Sequence, residues 1–225
     1  MFKYCPQSMS PAPSTLLSRT SSGFSVVELL TVLLVIGVLA AISVPYFFSY
    51  TKLYRSDDQS LLVIDAMQEA SQRALSRRST VRFEVDLTAN SLNLIDEDPT
   101  GPDQLFKSMP LLAPELVRID APPPAVAPPN PPNYATAVFA NDNIGHERDG
   151  VSVTGNRVWA ARFRSDGSVV GANGVPLNSS LFIWSPRPDD VNAPNSIGEI
   201  RALTMFAGSG AVRYWRYDGT EFKPY

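Results

Sequence analysis

The residue types that carry most enzyme chemistry are scarce in this 225-residue chain. It has one histidine, His146, and one cysteine, Cys5, which excludes most Cys/His metal and nucleophile arrangements. No Walker A loop, G-x-G-x-x-G after a strand, H-E-x-x-H or G-x-S-x-G motif occurs. We therefore expect no enzyme, no cofactor and no metal site. His146, in the polar stretch DNIGHERDG, is expected to be a solvated surface residue.

One carboxylate has an unusual setting. Glu28 lies near the start of GFSVVELLTVLLVIGVLAAISVPYF, residues 23–47, where no other charged side chain occurs. Burying a carboxylate in a membrane costs about 2.5–3.5 kcal/mol at the centre and less near the interface. Glu28 is therefore expected to have a cationic partner.

The apolar run around Glu28 is long enough to span a membrane. Leu29 to Phe48 carries no charge, and about 20 helical residues cover roughly 30 Å, the thickness of the hydrocarbon core. Lys3 and Arg19 precede it without an acid, which favours a cytoplasmic N-terminus. Its length and Glu28 disfavour a secretory signal, and a buried core helix this apolar would need a larger protein around it. A plain membrane anchor stays open, but it does not explain the acid.

Gly23, Phe24, Glu28 and Pro45, in the order GF-x3-E, apolar run, proline, resemble the type III signal of type IV pilins and type II secretion pseudopilins. In that family a membrane peptidase cuts after the glycine and methylates the new amine. The resemblance implies a leader of residues 1–23, cleavage between Gly23 and Phe24, and N-methylation of Phe24. It also supplies the cation, because the amine of an incoming subunit would pair with Glu28 of a neighbour and fix its register.

The same resemblance divides the N-terminal region. Residues 24–50 are expected to form the transmembrane or filament-core helix, and residues 51–78 its amphipathic second half. Pro45 cannot donate an N–H to the carbonyl of Ala41, and together with Gly37 it predicts a kink.

The helical period continues beyond Pro45 to about Ser76. The residues expected on its apolar side are Leu53, Leu61, Ile64, Met67, Ala74 and Leu75. Asp57 and Gln68 interrupt that side, whereas Glu69 and Arg73 form a favourable i,i+4 pair on the other.

Strand patterns follow the helix. Alternation in TVRFEVDL, a TANS turn and LNLI predict an antiparallel hairpin with one buried face. Further strands are predicted in YATAVFA, RVWAARF, SVVG, SLFIW, EIRALTMF and AVRYWRY. The expected fold class is α+β, with a long N-terminal helix packed on an antiparallel sheet domain of residues 79–225, as in pilins.

A proline-rich insertion, residues 96–133, interrupts the strand pattern and is expected to be a surface loop or stiff spacer. A P-x-x-P ligand for a partner protein is the alternative. Its acids Asp96, Glu97, Asp98 and Asp103 are calcium-ligand types, and some pseudopilins bind calcium, but the acids have no fixed ligand spacing. A solvated turn is the preferred interpretation.

Phe163 and Gly167, in ARFRSDGSVVG, resemble the F-x-x-x-G strand-turn of the GspH/FimT group of minor pseudopilins and minor pilins. Some FimT-type pilins take up DNA. In AVRYWRYDG, alternation would place Arg213 and Trp215 on one face and Arg216 on the other, a combination that can grip phosphates and stack on bases. Capping an edge strand is the simpler role for these residues.

The expected function is that of a structural minor pseudopilin or pilin subunit. Its expected partners are the prepilin peptidase and methylase, other pseudopilins or pilins, and the membrane. It is expected in the bacterial inner membrane, with the N-terminus cytoplasmic and the sheet domain periplasmic, and then in a filament. A DNA-binding minor pilin and an unprocessed bitopic anchor are the alternatives, and the sequence does not choose between a type II secretion pseudopilus and a type IV pilus.

Overall fold

The structure, a computed structural model, describes residues 24–225, without the side chains of residues 44–53. The chain divides into two compact units, one ending at Tyr46 and the other spanning Phe47–Tyr225. A single helix, α1, runs from Val26 to Arg77. It ends at Arg78, whose positive φ of 56° is a conformation that does not continue a helix. The helix continues through Gly37 and Pro45, so the expected kink there stays a prediction.

The second unit contains two sheets. The strands of the larger sheet are β1 (Val81–Asp86), β2 (Ser91–Asp96), β3 (Gln104–Pro110), β5 (Ala140–Asn141), β6 (His146–Arg148), β7 (Val151–Val153), β8 (Arg157–Phe163) and β9 (Val169–Val170). The strands of the smaller sheet are β4 (Arg118–Asp120), β10 (Ser179–Trp184), β11 (Arg201–Phe206), β12 (Ala211–Tyr217) and β13 (Phe222–Pro224). A short 3-10 helix, Ile197–Glu199, precedes β11.

Pairing in both sheets is antiparallel except between β3 and β6. The larger sheet has the order β5-β8-β1-β2-β3-β6-β7, with β9 on β8, and the smaller has the order β13-β12-β11-β10-β4. The α+β class, with an apolar N-terminal helix and a mostly antiparallel sheet unit, is therefore confirmed.

The main core lies where the C-terminal half of α1 meets both sheets. Ala66, Ala70 and Ala74 are at most 1% exposed, and their spacing of four places them on one helical face. The core also takes in Phe83 of β1 and Leu181 of β10, one from each sheet. Small side chains let the helix approach the sheets closely, and this contact unites the two sheets in one core.

A smaller apolar cluster lies on the other face of the second sheet. Phe182 and Trp184 belong to it, whereas their neighbours Leu181 and Ile183 belong to the main core. Successive side chains of a strand point to opposite faces, so β10 is buried on both sides.

The apolar side predicted for α1 is wrong in part. Leu61 and Leu75 are 54% and 49% exposed, and Gln68 is also exposed. Glu69 and Arg73 attract each other as predicted, but their direct ion pairs are longer-range, since Glu69 pairs with Lys107 and Arg73 pairs with Asp96. The buried side is instead rich in small and polar residues, which carry little signal in a hydrophobic period.

Three predictions for the sheet region are also corrected. The hairpin β1–β2 is buried on both faces, not one. The segment 96–133 is not an unstructured insertion, because β3 extends the larger sheet and β4 joins the smaller one. The stretch YATAVFA contributes only Ala140 to a strand, together with a bridge from Thr136 to Ser180.

The F-x-x-x-G segment forms the turn between β8 and β9. Phe163 is 1% exposed in the core, and Gly167 donates its N–H to the carbonyl of Arg164 at 3.0 Å. Gly167 has a φ of +84°, a conformation that L side chains adopt only with strain.

Replacing Gly167 by alanine should therefore destabilise the fold by about 1 kcal/mol, because the new side chain is strained at this positive φ. Chemical denaturation of the full chain in detergent measures the change. Gly198→Ala is the matched control. Gly198 does not have a positive φ, and no atom lies within 4 Å of the position that an alanine Cβ would occupy. Equal stabilities of the two variants would contradict a conformational role for Gly167.

Candidate functional site

The N-terminal part of α1 is the first candidate. Within the described residues, the window Val26–Ser43 is long and apolar enough to cross a membrane, by length and composition. None of this window is buried inside the chain. Exposed apolar surface on this scale requires a lipid or protein environment.

Glu28 lies in the first turn of this helix. A carboxylate there is favoured by the positive end of the helix dipole, which accounts for part of its presence. Phe24 is 77% exposed and lies two residues before Val26, the first residue of the helix. Gly23 and the rest of the expected leader lie outside the described residues. A chain beginning at Phe24 would therefore carry its amine at the start of the helix, one turn from Glu28.

Asp57, expected to interrupt an apolar face, instead joins α1 to the smaller sheet. Arg201 donates to its two carboxylate oxygens, from Nε at 2.5 Å and from Nη2 at 3.2 Å. The hydroxyl of Tyr214 donates to Asp57 Oδ1. Arg201 is 2% exposed, so it relies on this carboxylate for charge neutralisation.

The pKa values in this group follow from burial and pairing. Burial alone would raise the pKa of Asp57, but the hydrogen bonds from Arg201 and Tyr214, and the nearby positive charges, hold it below its usual 3.8. Burial, together with the hydrogen bond to Asp57, raises the pKa of Tyr214. Asp57 is therefore ionised, and Tyr214 protonated, near neutral pH.

A second group of charged side chains is buried within the larger sheet. Arg82 and Glu84 of β1 are each 1% exposed, and Arg82 Nε lies 2.9 Å from Glu84 Oε1. His146 Nδ1 lies 3.7 Å from Glu84 Oε2, and His146 is 6% exposed. The expectation that His146 is a solvated surface residue is wrong, because the loop before it lies against β1, where the Gly145 carbonyl accepts a hydrogen bond from Arg82.

Asp142 completes this group from the loop between β5 and β6. Asp142 Oδ1 accepts the N–H groups of Ile144 and Gly145, at 3.0 and 3.1 Å. Among the described residues, Glu84, Asp142 and His146 form a group whose potential metal-ligand atoms all lie within 4.8 Å of one another. We call these three residues the buried triad.

Burial shifts the pKa values of Glu84 and His146. It raises the pKa of Glu84 to about 7, against the charge of Arg82, and Asp142 and Asp86 add to the rise. Burial, aided by the charge of Arg82, lowers the pKa of His146. The imidazole is therefore neutral near pH 7, which is the form that binds metals.

A cavity of about 610 Å³ opens beside this group. Arg82, Glu84, Asp142 and Arg162 contribute to its wall, with Trp159 on the apolar side. Glu84 and Asp142 thus border the cavity, whereas His146 is not part of its wall. Sequence reasoning missed the site, because its residues come from a strand and from a distant loop, DNIGH, with no recognisable ligand spacing.

The acids proposed for calcium do not gather around a common point. Asp96 pairs with Arg73 and Arg77, and Glu97 pairs with Arg162 at 2.5 Å. Asp103 lies 3.3 Å from Arg82, whereas Asp98 accepts hydrogen bonds from Thr100 in its own turn. Arginines thus take most of the oxygen ligands that calcium would need, which corrects the suggestion of a calcium site there.

The basic and aromatic residues of β12 do not form one exposed surface. Trp215 is 4% exposed and donates its indole N–H to Thr204 at 2.8 Å. It therefore offers no ring face for base stacking. The predicted alternation holds, since Trp215 and Tyr214 belong to different core clusters, but the proposed stacking role of Trp215 is wrong. The Arg213 guanidinium lies 5.4 Å from the Trp215 ring centre, and Arg216 lies 4.0 Å from Asp57. Binding of nucleic acid by these arginines stays a prediction.

Comparison of the chain with protein-family models, with curated proteins and with solved structures finds no match. The functional argument therefore depends on the residues and geometry described above.

Asp57→Asn should lower the free energy of unfolding by about 3 kcal/mol near neutral pH, because it leaves the buried Arg201 without its counter-ion. Asp58→Asn, at the exposed neighbouring position, should change it by less than about 0.5 kcal/mol. Chemical denaturation of the full chain in detergent measures both.

The effect should also depend on pH. Because the folded-state pKa of Asp57 lies below its usual 3.8, the carboxylate contributes fully above that value, and its contribution is lost as pH falls through the lower folded-state pKa. The gap between wild type and Asp57→Asn should therefore narrow in strong acid. If the difference in unfolding free energy stayed constant down to the pH at which the protein unfolds, the assigned role of the ion pair would be contradicted.

Proposed function

We propose that this chain is a pilin-like structural subunit, of the minor pseudopilin or minor pilin kind, that a prepilin peptidase processes between Gly23 and Phe24. The membrane holds the precursor through the first part of α1. After cleavage, the same segment moves from lipid into the core of a filament. The single observation that carries the proposal is an apolar window, Val26–Ser43, with no part buried in its own chain and an acid in its first turn.

The position of Glu28 supports an assembly role beyond simple anchoring. A plain anchor gains only the helix-dipole interaction from a carboxylate at the edge of an apolar span, where an unpaired charge costs free energy. In the proposed filament, the methylated amine of Phe24 of an entering subunit pairs with Glu28 of a subunit already in place. In a low-dielectric core that pair favours one register, since a shifted subunit would leave both charges unpaired.

The C-terminal half of α1 has an exposed stripe that fits the same role. Tyr54, Leu61 and Leu75 are 45%, 54% and 49% exposed, and positions 54, 61, 68 and 75 are seven residues apart. Seven residues make nearly two helical turns, so these side chains share one face. In a filament, neighbouring subunits would cover this face.

The sheet unit supports a role as the part of the subunit outside the membrane. It has its own core of helix and sheet residues and needs no disulfide, since the only cysteine of the chain is Cys5. In the proposed topology the N-terminus is cytoplasmic and this unit is periplasmic. Its contacts with other pseudopilins or pilins would place it in the filament.

Processing separates this proposal from an unprocessed bitopic anchor. Protein recovered from membranes of cells that contain a prepilin peptidase should begin at N-methylated Phe24, as intact mass and N-terminal sequencing would detect. Gly23→Ala should keep the full-length precursor, because the resemblance places cleavage after this glycine.

Glu28→Ala is the matched variant, since it leaves the cleavage position intact. It should still be cut at Phe24 but should be depleted from sheared filaments by roughly tenfold or more, as loss of a buried ion pair would cause. A wild-type chain that keeps its leader would overturn the proposal. Normal filament recovery of Glu28→Ala would overturn the assigned role of Glu28.

A further inference from the structure

We propose that the buried triad of Glu84, Asp142 and His146 binds a divalent cation of the zinc type. The site is independent of the pilin-like role, since it lies wholly within the sheet unit. Its ligand atoms, two carboxylate oxygens and one imidazole nitrogen, are a set that zinc accepts, with water from the adjoining cavity as the fourth ligand.

The first support is that two buried polar atoms make no hydrogen bond. Glu84 Oε1 has the Arg82 guanidinium beside it, but Glu84 Oε2 and His146 Nδ1 make no hydrogen bond, although Glu84 is 0% and His146 6% exposed. Buried polar groups without hydrogen bonds are rare because their desolvation is uncompensated. A cation between Glu84 Oε2 and His146 Nδ1 would satisfy both atoms.

The distances fit a shared ion. Ligand atoms about 2.1 Å from a tetrahedral zinc lie roughly 3.4 Å apart. Glu84 Oε2 and His146 Nδ1 are 3.7 Å apart, too far for a hydrogen bond but only a few tenths of an ångström from that spacing. All three residues have ligand atoms within 4.8 Å of one another.

The charge balance also favours a cation. Two arginines face the carboxylates of this region. The Arg82 guanidinium lies 3.5 Å from Glu97 and 3.3 Å from Asp103 as well as beside Glu84, and Arg162 pairs with Glu97. Two positive charges thus face four carboxylates, those of Glu84, Glu97, Asp103 and Asp142. Arg82 Nε faces Glu84 Oε1, which leaves Oε2 directed to His146 and open to a metal.

The backbone holds the ligands in place. Glu84 sits in the middle of β1, paired with Asn93 and Ala160 of the strands on either side. The N–H and the carbonyl of Asp142 bond to Asn156 and Gly155, both at 2.8 Å.

Gly145 fixes the path from Asp142 to His146. Its φ is +71°, and an added Cβ would lie 2.4 Å from a side-chain carbon of Thr154, so no larger residue fits. Its carbonyl also accepts a hydrogen bond from Arg82 Nη2. A site that is positioned before binding pays little ordering entropy when the ion arrives.

His146 is the single histidine of the chain, so it can be observed alone. The full chain would be labelled with ¹⁵N-histidine, purified in detergent, stripped with EDTA and titrated with ZnCl₂ while its imidazole ¹⁵N signals are followed. We expect the signals to shift, to saturate at one zinc per chain and to return when EDTA is added. CaCl₂ should leave them unmoved, because calcium prefers oxygen ligands. Unmoved signals in excess zinc would overturn the proposal without any variant.

Variants locate the ion. Glu84→Gln and Asp142→Asn should weaken zinc binding by at least the roughly tenfold to hundredfold lost when an outer-shell partner is removed. Asp103→Asn is the matched control, because Asp103 contacts the same arginine but lies outside the triad; its affinity should stay within about threefold of wild type. Circular dichroism checks that each variant folds. If Glu84→Gln does not fold, Asp142→Asn decides the outcome. Wild-type affinity in Asp142→Asn would overturn the site.

Discussion

The sheet unit depends on the contact between the C-terminal half of α1 and both sheets. Ala66, Ala70 and Ala74 form a narrow strip, fully covered by core residues of the two sheets. A larger side chain in this strip would push the helix away from both sheets at once, because cores are packed too tightly to absorb it. Asp57 then holds the same helix to the smaller sheet through the buried Arg201. Apolar packing and the Asp57–Arg201 ion pair thus act at different points along one helix, and the Glu69–Lys107 and Arg73–Asp96 pairs join the same helix to the larger sheet.

Among the described residues, no part of the apolar window Val26–Ser43 is buried. In the proposed function, the two halves of the helix therefore have different roles. The C-terminal half belongs to a self-contained core, and the N-terminal half is free to exchange lipid for other subunits. The buried triad lies in the unit with the self-contained core, because an ion bound there would join β1 to the loop before β6. Assembly and ion binding would then be separable properties.

The sequence predicted the parts of the fold that have a strong local period. The apolar helix and the strands at Val81–Asp86, Arg157–Phe163 and Ala211–Tyr217 follow from patterns of 3.6 and 2 residues. The site residues did not follow, because burial of charge is a tertiary effect. RFEVD has the alternation of a half-exposed strand, yet Arg82 and Glu84 are buried because the chain beyond residue 96 folds back over them. No local pattern reports which distant segment covers a strand, or that His146 lies beside Glu84.

The most direct test of the account is the environment of two single cysteines in intact bacterial cells, in a Cys5→Ser background. Leu33 is 56% exposed in the apolar part of the helix, and Ser209 is exposed in a turn of the sheet unit. A membrane-impermeant maleimide, admitted to the periplasm, should label Ser209→Cys at once and should label Leu33→Cys only after detergent solubilisation. Rapid labelling of Leu33→Cys in intact cells, or protection of Ser209→Cys, would contradict a helix held in lipid with its sheet unit outside.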